Sequence, residues 1–210
     1  MEMLRRSSVF ASEVFDRSHA DKELVSQAKA LCRDYIHNKL NSAGCGWSKP
    51  EHGLVAAGGT LGEISFVLLW LGEELEYLHP NVYRNITRQF NITVASESLV
   101  TEAFMSVAAD IFSTGVTWGK VVSLYAVAGN MALEYVRLGN PSLIRVIVDC
   151  MGDFVYKNLT GWLKKRGGWV DIKKCVVSSD PSFHSHWLLS AVYTLGLYLK
   201  TVVLYFLREK

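Results

Sequence analysis

Residues 121–133 read VVSLYAVAGNMAL, thirteen consecutive positions without a formal charge and apolar on nearly every side of a helical wheel. A surface helix shows one apolar stripe, so a run that is apolar all round predicts a helix enclosed by other helices. Thirteen residues are too few to cross a hydrocarbon layer, which needs about twenty. The neighbouring segments should therefore each offer one apolar face to this one.

They do. Upstream, Leu24, Val25, Ala28, Leu31, Cys32, Tyr35 and Ile36 recur at three-and-four spacing and predict a helix over 21–40, with Ser18 and Asp21 resembling a capping box at its start. Residues 41–59 are rich in Gly, Ser and Ala, contain Pro50 and read as a mobile loop. Thr60 and Glu63 form a second capping pattern ahead of Ile64, Leu68, Leu71 and Leu75, a narrow stripe on a helix ending near His79, before Pro80. Leu99, Ala103, Val107 and Ile111 give another amphipathic helix, capped by Ser96 or Ser98 and ending around Gly115.

Downstream, Asn140 and Pro141 supply a cap and a first-turn proline for a helix that buries Leu143, Ile144, Ile147, Val148, Met151, Phe154 and Val155. It runs toward Trp162 and the basic Lys164, Lys165 and Arg166. Gly167 and Gly168 break it, Trp169 opens a short segment to Val177, and the compact domain is expected to end near Ser179.

From Pro181 to Leu199 there are nineteen residues without a formal charge, and after Lys200 the chain is apolar again to Leu207. Residues 182–207 read as one membrane-spanning tail, with Trp187 near one interface, Leu188, Leu195, Leu199, Leu204 and Leu207 in the hydrocarbon, and Arg208 and Lys210 near the other interface. Lys200 is costly there, by roughly 2 to 3 kcal/mol unless it snorkels, which marks a weak or sorted anchor. Residues 1–20 form an N-terminal arm; Arg5, Arg6, Glu13 and Asp16 interrupt its apolar residues and leave no secretory signal, so the domain is expected to face the cytosol.

No chemistry announces itself. A net charge of +2 is too mild for a nucleic-acid surface. Gly119 and Lys120 lack the upstream glycine and following Ser or Thr of a phosphate loop, and no G-x-S-x-G elbow occurs. Cys32, Cys45, Cys150 and Cys175 are scattered without metal spacing and read as reduced packing residues. Glu73, Glu74 and Glu76 fan around a helix and read as a solvated face. The expectation is a protein that is not an enzyme, with no catalytic residue, cofactor, metal, nucleic acid or small-molecule substrate.

Two glycine-tryptophan elements remain: Gly115, Val116, Thr117, Trp118, Gly119, Lys120, Val121 at a helix start, and Arg166, Gly167, Gly168, Trp169 at a helix break. Glycine permits close approach and left-handed turns, and tryptophan seals a junction. In this order, with the Leu71-Gly72-Glu73 stripe before them and an apolar tail after them, they resemble the Bcl family of apoptosis regulators. Its third motif lies at 64–75, its first at 112–122, its second at 162–171, and its fourth resembles 21–40. The runs 4–10, 83–86, 118–128 and 166–181 resemble one member in particular.

The resemblance implies an all-α bundle of about eight helices over residues 21–179, around a central apolar hairpin of 118–137 and 141–166, followed by the C-terminal transmembrane helix. It implies that Ile64, Leu68, Leu71 and Leu75 are the anchors of a helical death motif, Gly72 its close-approach point and Glu73 its acid. Gly115, Trp118, Gly119, Lys120 and Val121 line the groove that receives such helices, and Trp162, Gly167, Gly168 and Trp169 form the second motif. Lys120 stands where the family has arginine, a planar fork suited to carboxylates; a lysine offers only a hydrated point charge. The resemblance further implies a pro-apoptotic effector that oligomerises in and permeabilises the mitochondrial outer membrane, releasing intermembrane proteins, or alternatively a pro-survival relative that binds third-motif helices without forming pores. Its partners would be other Bcl family proteins, in homo- and hetero-oligomers that include the myeloid-cell-leukaemia pro-survival relative, and lipid. Its location would be the mitochondrial outer membrane, the endoplasmic reticulum and other endomembranes.

Overall fold

The computed structural model describes residues 2–46, 59–78, 80 and 96–177, with the backbone alone for 2–17. The chain is all-helical there. Helix α1 (Glu2–Ser42), α2 (Thr60–Leu78), α3 (Glu97–Ile111), α4 (Trp118–Arg137), α5 (Leu143–Phe154), α6 (Thr160–Arg166) and α7 (Lys174–Val177) follow in order. A π-helical turn, Val155–Leu159, joins α5 to α6, and a 3-10 turn, Trp169–Lys173, leads into α7. Because residues 143–166 form one rod and 169–177 another, the described residues make six rods rather than the expected eight or so. The residues expected to form the anchor, 182–207, lie outside the described part, and among the described residues no helix is long and apolar enough to cross a membrane.

The centre is where the uncharged run predicted it. Sixteen of the twenty residues of α4 are buried. Helix α1 packs on α4 and α5, α3 packs chiefly on α5, and α2 lies against α1, α4 and the 3-10 turn. Thr117 caps α4 by accepting from the Lys120 N–H at 3.3 Å, and Ser96 caps α3 by accepting from Leu99 N–H at 3.3 Å. At the far side, the rings of Phe112 and Phe154 pack with centroids 5.1 Å apart.

Several boundaries differ from the sequence reading. Helix α1 begins at Glu2 and Ser18 lies within it, because residues 2–42 contain neither Gly nor Pro and nothing stops the helix from propagating upstream. It ends in a turn where Cys45 N–H returns to Leu40 O at 2.9 Å. Thr60 is the first residue of α2 rather than its cap, since Glu63 N–H reaches Gly59 O at 3.1 Å. Helix α5 starts two residues after Pro141: Leu143 N–H bonds Asn140 O and Ile144 N–H bonds Pro141 O, a tight entry turn that uses Asn140 and Pro141 ahead of the helix.

Candidate functional site

Helix α2 turns inward the stripe expected to form the third motif. Ile64, Leu68, Leu71 and Leu75 are all buried, at 4% exposure or less, while Glu73 is exposed on the outer face with Phe66 and Tyr77. Burying a leucine-sized side chain is worth about 2 kcal/mol, so withdrawing all four costs on the order of 8 kcal/mol unless a partner or lipid replaces the contacts. Gly72 is the tightest point. A Cβ there would run into Tyr35 Oη of α1, and one at Gly129 of α4 would stand 2.9 Å from Tyr35 Cε1. The Tyr35 ring thus fills a slot that exists because both facing helices carry glycine.

The acidic trio on α2 is not uniformly solvated. Glu73 is exposed, but Glu76 pairs with Lys39 of α1 and accepts from Asn130 Nδ2 of α4 at 3.0 Å. It joins three helices at the point where the apolar stripe ends. Nothing in the local sequence distinguishes it from its neighbours; its partners lie 37 and 54 positions away.

At the start of α4, Lys120 is folded into the protein. It is 2% exposed, and its ammonium donates to Thr114 Oγ1 at 2.7 Å and Gly115 O at 2.9 Å, with burial pulling its pKa below the ordinary lysine value. Gly115 itself is exposed, and Gly119 and Val121 are buried. The residue expected to supply the groove's cation is therefore engaged by the turn that precedes its own helix.

Trp118 brings the two glycine-tryptophan elements together. Its indole N–H donates to Asp171 Oδ2 at 2.9 Å, its ring meets Trp162 edge-on with centroids 4.9 Å apart, and the Trp169 ring lies 6.0 Å away. Arg166 reaches Asp171 Oδ2 at 3.0 Å and lies 4.6 Å over the Trp162 ring; Lys174 holds Asp171 Oδ1 at 2.6 Å. Burial alone would raise the Asp171 pKa, but hydrogen bonds from Lys174, Trp118 and Arg166 outweigh it and hold it at about 2. Gly167 and Gly168 make the reversal possible: their φ angles are +86° and +92°, and their N–H groups return to Lys164 O and Leu163 O.

The aromatic contacts continue inward. Trp169 donates to Leu24 O at 3.1 Å and meets Tyr125 edge-on at 5.9 Å; Tyr125 donates to Ala28 O at 3.2 Å and meets Tyr35 at 6.2 Å. A chain of rings, Trp162, Trp118, Trp169, Tyr125, Tyr35, thus runs from α6 through α4 and the 3-10 turn to α1. The sequence reading located its tryptophans but missed Tyr125, Asp171 and the slot around Tyr35. Their only local signal is a polar atom on an otherwise apolar face.

Among the described residues, no catalytic arrangement accompanies these contacts. Burial pushes the Cys32 thiol to about 12 and Cys175 to about 11, far from thiolate chemistry at neutral pH. All four cysteines are free, and among the described residues no three His, Cys, Asp or Glu gather as metal ligands. The expected anchor residues, from Trp187 through Lys200 to Leu207, lie outside the described part.

The chain is similar to known proteins of one family. A family model described as "Apoptosis regulator proteins, Bcl-2 family" matches residues 68–169. The Bcl-2-related ovarian killer protein homolog A of Danio rerio is 66% identical over 224 residues, covering 100% of both chains. The Bcl-2-related ovarian killer protein of Homo sapiens is 54% identical over 213 residues, again 100% of each. A crystal structure of chicken BOK superposes with a TM-score of 0.69 at 63% identity, covering 75% of this chain and 99% of that one.

Proposed function

The chain belongs to the Bcl-2 family of apoptosis regulators, and from that premise we propose that it is a pro-apoptotic effector that permeabilises the mitochondrial outer membrane. The tail of residues 182–207 docks the protein in that membrane and in the endoplasmic reticulum. The bundle then opens, the apolar rods α4 and 143–166 pass to the lipid, and copies of the chain assemble with one another and with other family members. The action is one of contact and insertion, not catalysis.

One observation supports this reading: two polar side chains in the middle of α4 each hold a bond within the helix itself. Ser123 Oγ donates to Gly119 O at 2.9 Å and Asn130 Nδ2 donates to Ala126 O at 2.8 Å, both within the helix. A helix leaving its bundle for lipid must keep its polar side chains satisfied; Ser123 and Asn130 each retain one bond within the helix, while Asn130 gives up its bond to Glu76. The inward capture of Lys120 also favours an effector over a receptor, since a groove built to hold acidic helices needs its cation free. The killer designation of the similar proteins points the same way.

The test is release of size-graded dextrans from liposomes by the full chain, compared with the chain lacking residues after Ser179. Release of large cargo without an added activator, lost on truncation, is the expected result. Tight membrane binding with no release would instead support the pro-survival reading, in which the chain captures third-motif helices.

A further inference from the structure

The last described part of the chain is unbalanced in charge. Residues 155–177 contain six Lys or Arg and one carboxylate, Asp171. Two of these cations are committed to other helices: Lys164 pairs with Asp21 of α1 and Lys173 with Glu63 of α2. Arg166 and Lys174 share Asp171. Lys157 and Lys165 are exposed, stand two helical turns apart along the π turn and α6, and have no ion pair among the described residues.

The same stretch of chain carries exposed apolar side chains. Tyr156 is 56% exposed and Val176 40% exposed, and Trp162 lies partly buried under the Arg166 guanidinium. Cations interleaved with aromatic and aliphatic side chains match the headgroup layer of an anionic bilayer, where the ring or methyl enters the boundary and the ammonium meets phosphate or carboxylate. The strip also ends at the right place. Val177 closes α7, and only three residues separate it from the uncharged run 181–199.

We infer that this basic strip, running along Lys157, Lys165, Arg166 and Lys174, is the face by which the folded domain rests on an anionic lipid surface. The inference rests on the reading of residues 182–207 as a membrane anchor. The anchor would hold the domain within a Debye length of the headgroups, about 10 Å at 0.1 M salt, where each basic residue adds appreciable attraction. Lying against lipid, the strip would place the rod 143–166 along the membrane before any opening.

The test measures binding of the full chain to vesicles of phosphatidylcholine alone and of an equal mixture of phosphatidylcholine and phosphatidylserine. The chain is compared with K157Q/K165Q and with R137Q/R145Q, which removes the same charge from the other end of the α4–α5 hairpin. The expected result is a preference for the anionic vesicles that K157Q/K165Q reduces by roughly thirtyfold and R137Q/R145Q leaves in place, with binding to neutral vesicles unchanged in both. No anionic preference, or one equally weakened by both double variants, would overturn the strip while binding to neutral vesicles upheld the anchor. An anionic preference lost in K157Q/K165Q without any binding to neutral vesicles would uphold the strip and overturn the anchor.

Discussion

The Trp118 indole N–H and the Asp171 carboxylate meet at 2.9 Å across 53 positions of sequence. Around this buried bond the two glycine-tryptophan elements become one structure: Trp118 opens α4, the Gly167–Gly168 reversal turns the chain back, and Asp171 receives Trp118, Arg166 and Lys174 together.

Acid should therefore loosen the domain through Asp171. Its folded pKa of about 2 lies below the ordinary 3.8, so its contribution is complete above about pH 4 and lost as pH falls through 2. A shift of that size corresponds to about 2 kcal/mol. Urea midpoints measured down this range should fall in the parent and fall less in Asp171→Asn, which starts roughly 2 to 4 kcal/mol less stable.

The slot around Tyr35 predicts a coupled pair. Gly72→Ala should cost about 1 to 3 kcal/mol, because the new methyl meets the phenol and the backbone around it is packed. Tyr35→Phe removes the nearest atom, so Tyr35→Phe/Gly72→Ala should be less destabilised than the sum of the single variants in a denaturation cycle. Strict additivity would show that the two helices do not meet there.

Helix α6 offers a matched pair of glycines. Gly167→Ala places a side chain at φ +86° and should lose about 1 to 2 kcal/mol. Gly161→Ala, in open space within the helix, should gain about 0.5 to 1 kcal/mol, read as opposite shifts in thermal midpoint.

Lys120 predicts a silent acid. A peptide copying residues 60–78 and its Glu73→Gln form should bind the folded chain with Kd values within about twofold, because the ammonium remains with Thr114 and Gly115. A loss of roughly tenfold on removing the acid would place Lys120 in contact with the ligand. Lys120→Met should leave stability within about 1 kcal/mol, since Thr114 and Gly115 are exposed and turn to water.

Much of the fold was legible because hydrophobic period is a local property. The 118–137 helix encloses the uncharged run 121–133 and has the bounds the family resemblance implied: Thr117 ends one side with a hydroxyl cap and Arg137 the other with a charge. The stripe Ile64, Leu68, Leu71, Leu75 is buried as its spacing required. What sequence hid was relational. Ser18 has the chemistry of a cap, but a cap works only where the upstream chain is not already helical. The π turn at Val155–Leu159 inserts a residue into a helical register that the apolar spacing alone continues smoothly. Glu76 and Asp171 look like ordinary surface acids until the partners supplied by distant helices are counted.

The ring chain from Trp162 to Tyr35 also makes the molecule its own optical gauge. Trp118, Trp162 and Trp169 are three of the six tryptophans, and each has another tryptophan ring within 6.0 Å in a fixed, asymmetric setting. Such a cluster dominates near-ultraviolet circular dichroism, which vanishes when packing is lost while helical far-ultraviolet signal remains. Separation of the second motif from α4 would therefore register without a label, and its timing against cargo release would tell whether the seam between the motifs parts before the membrane does.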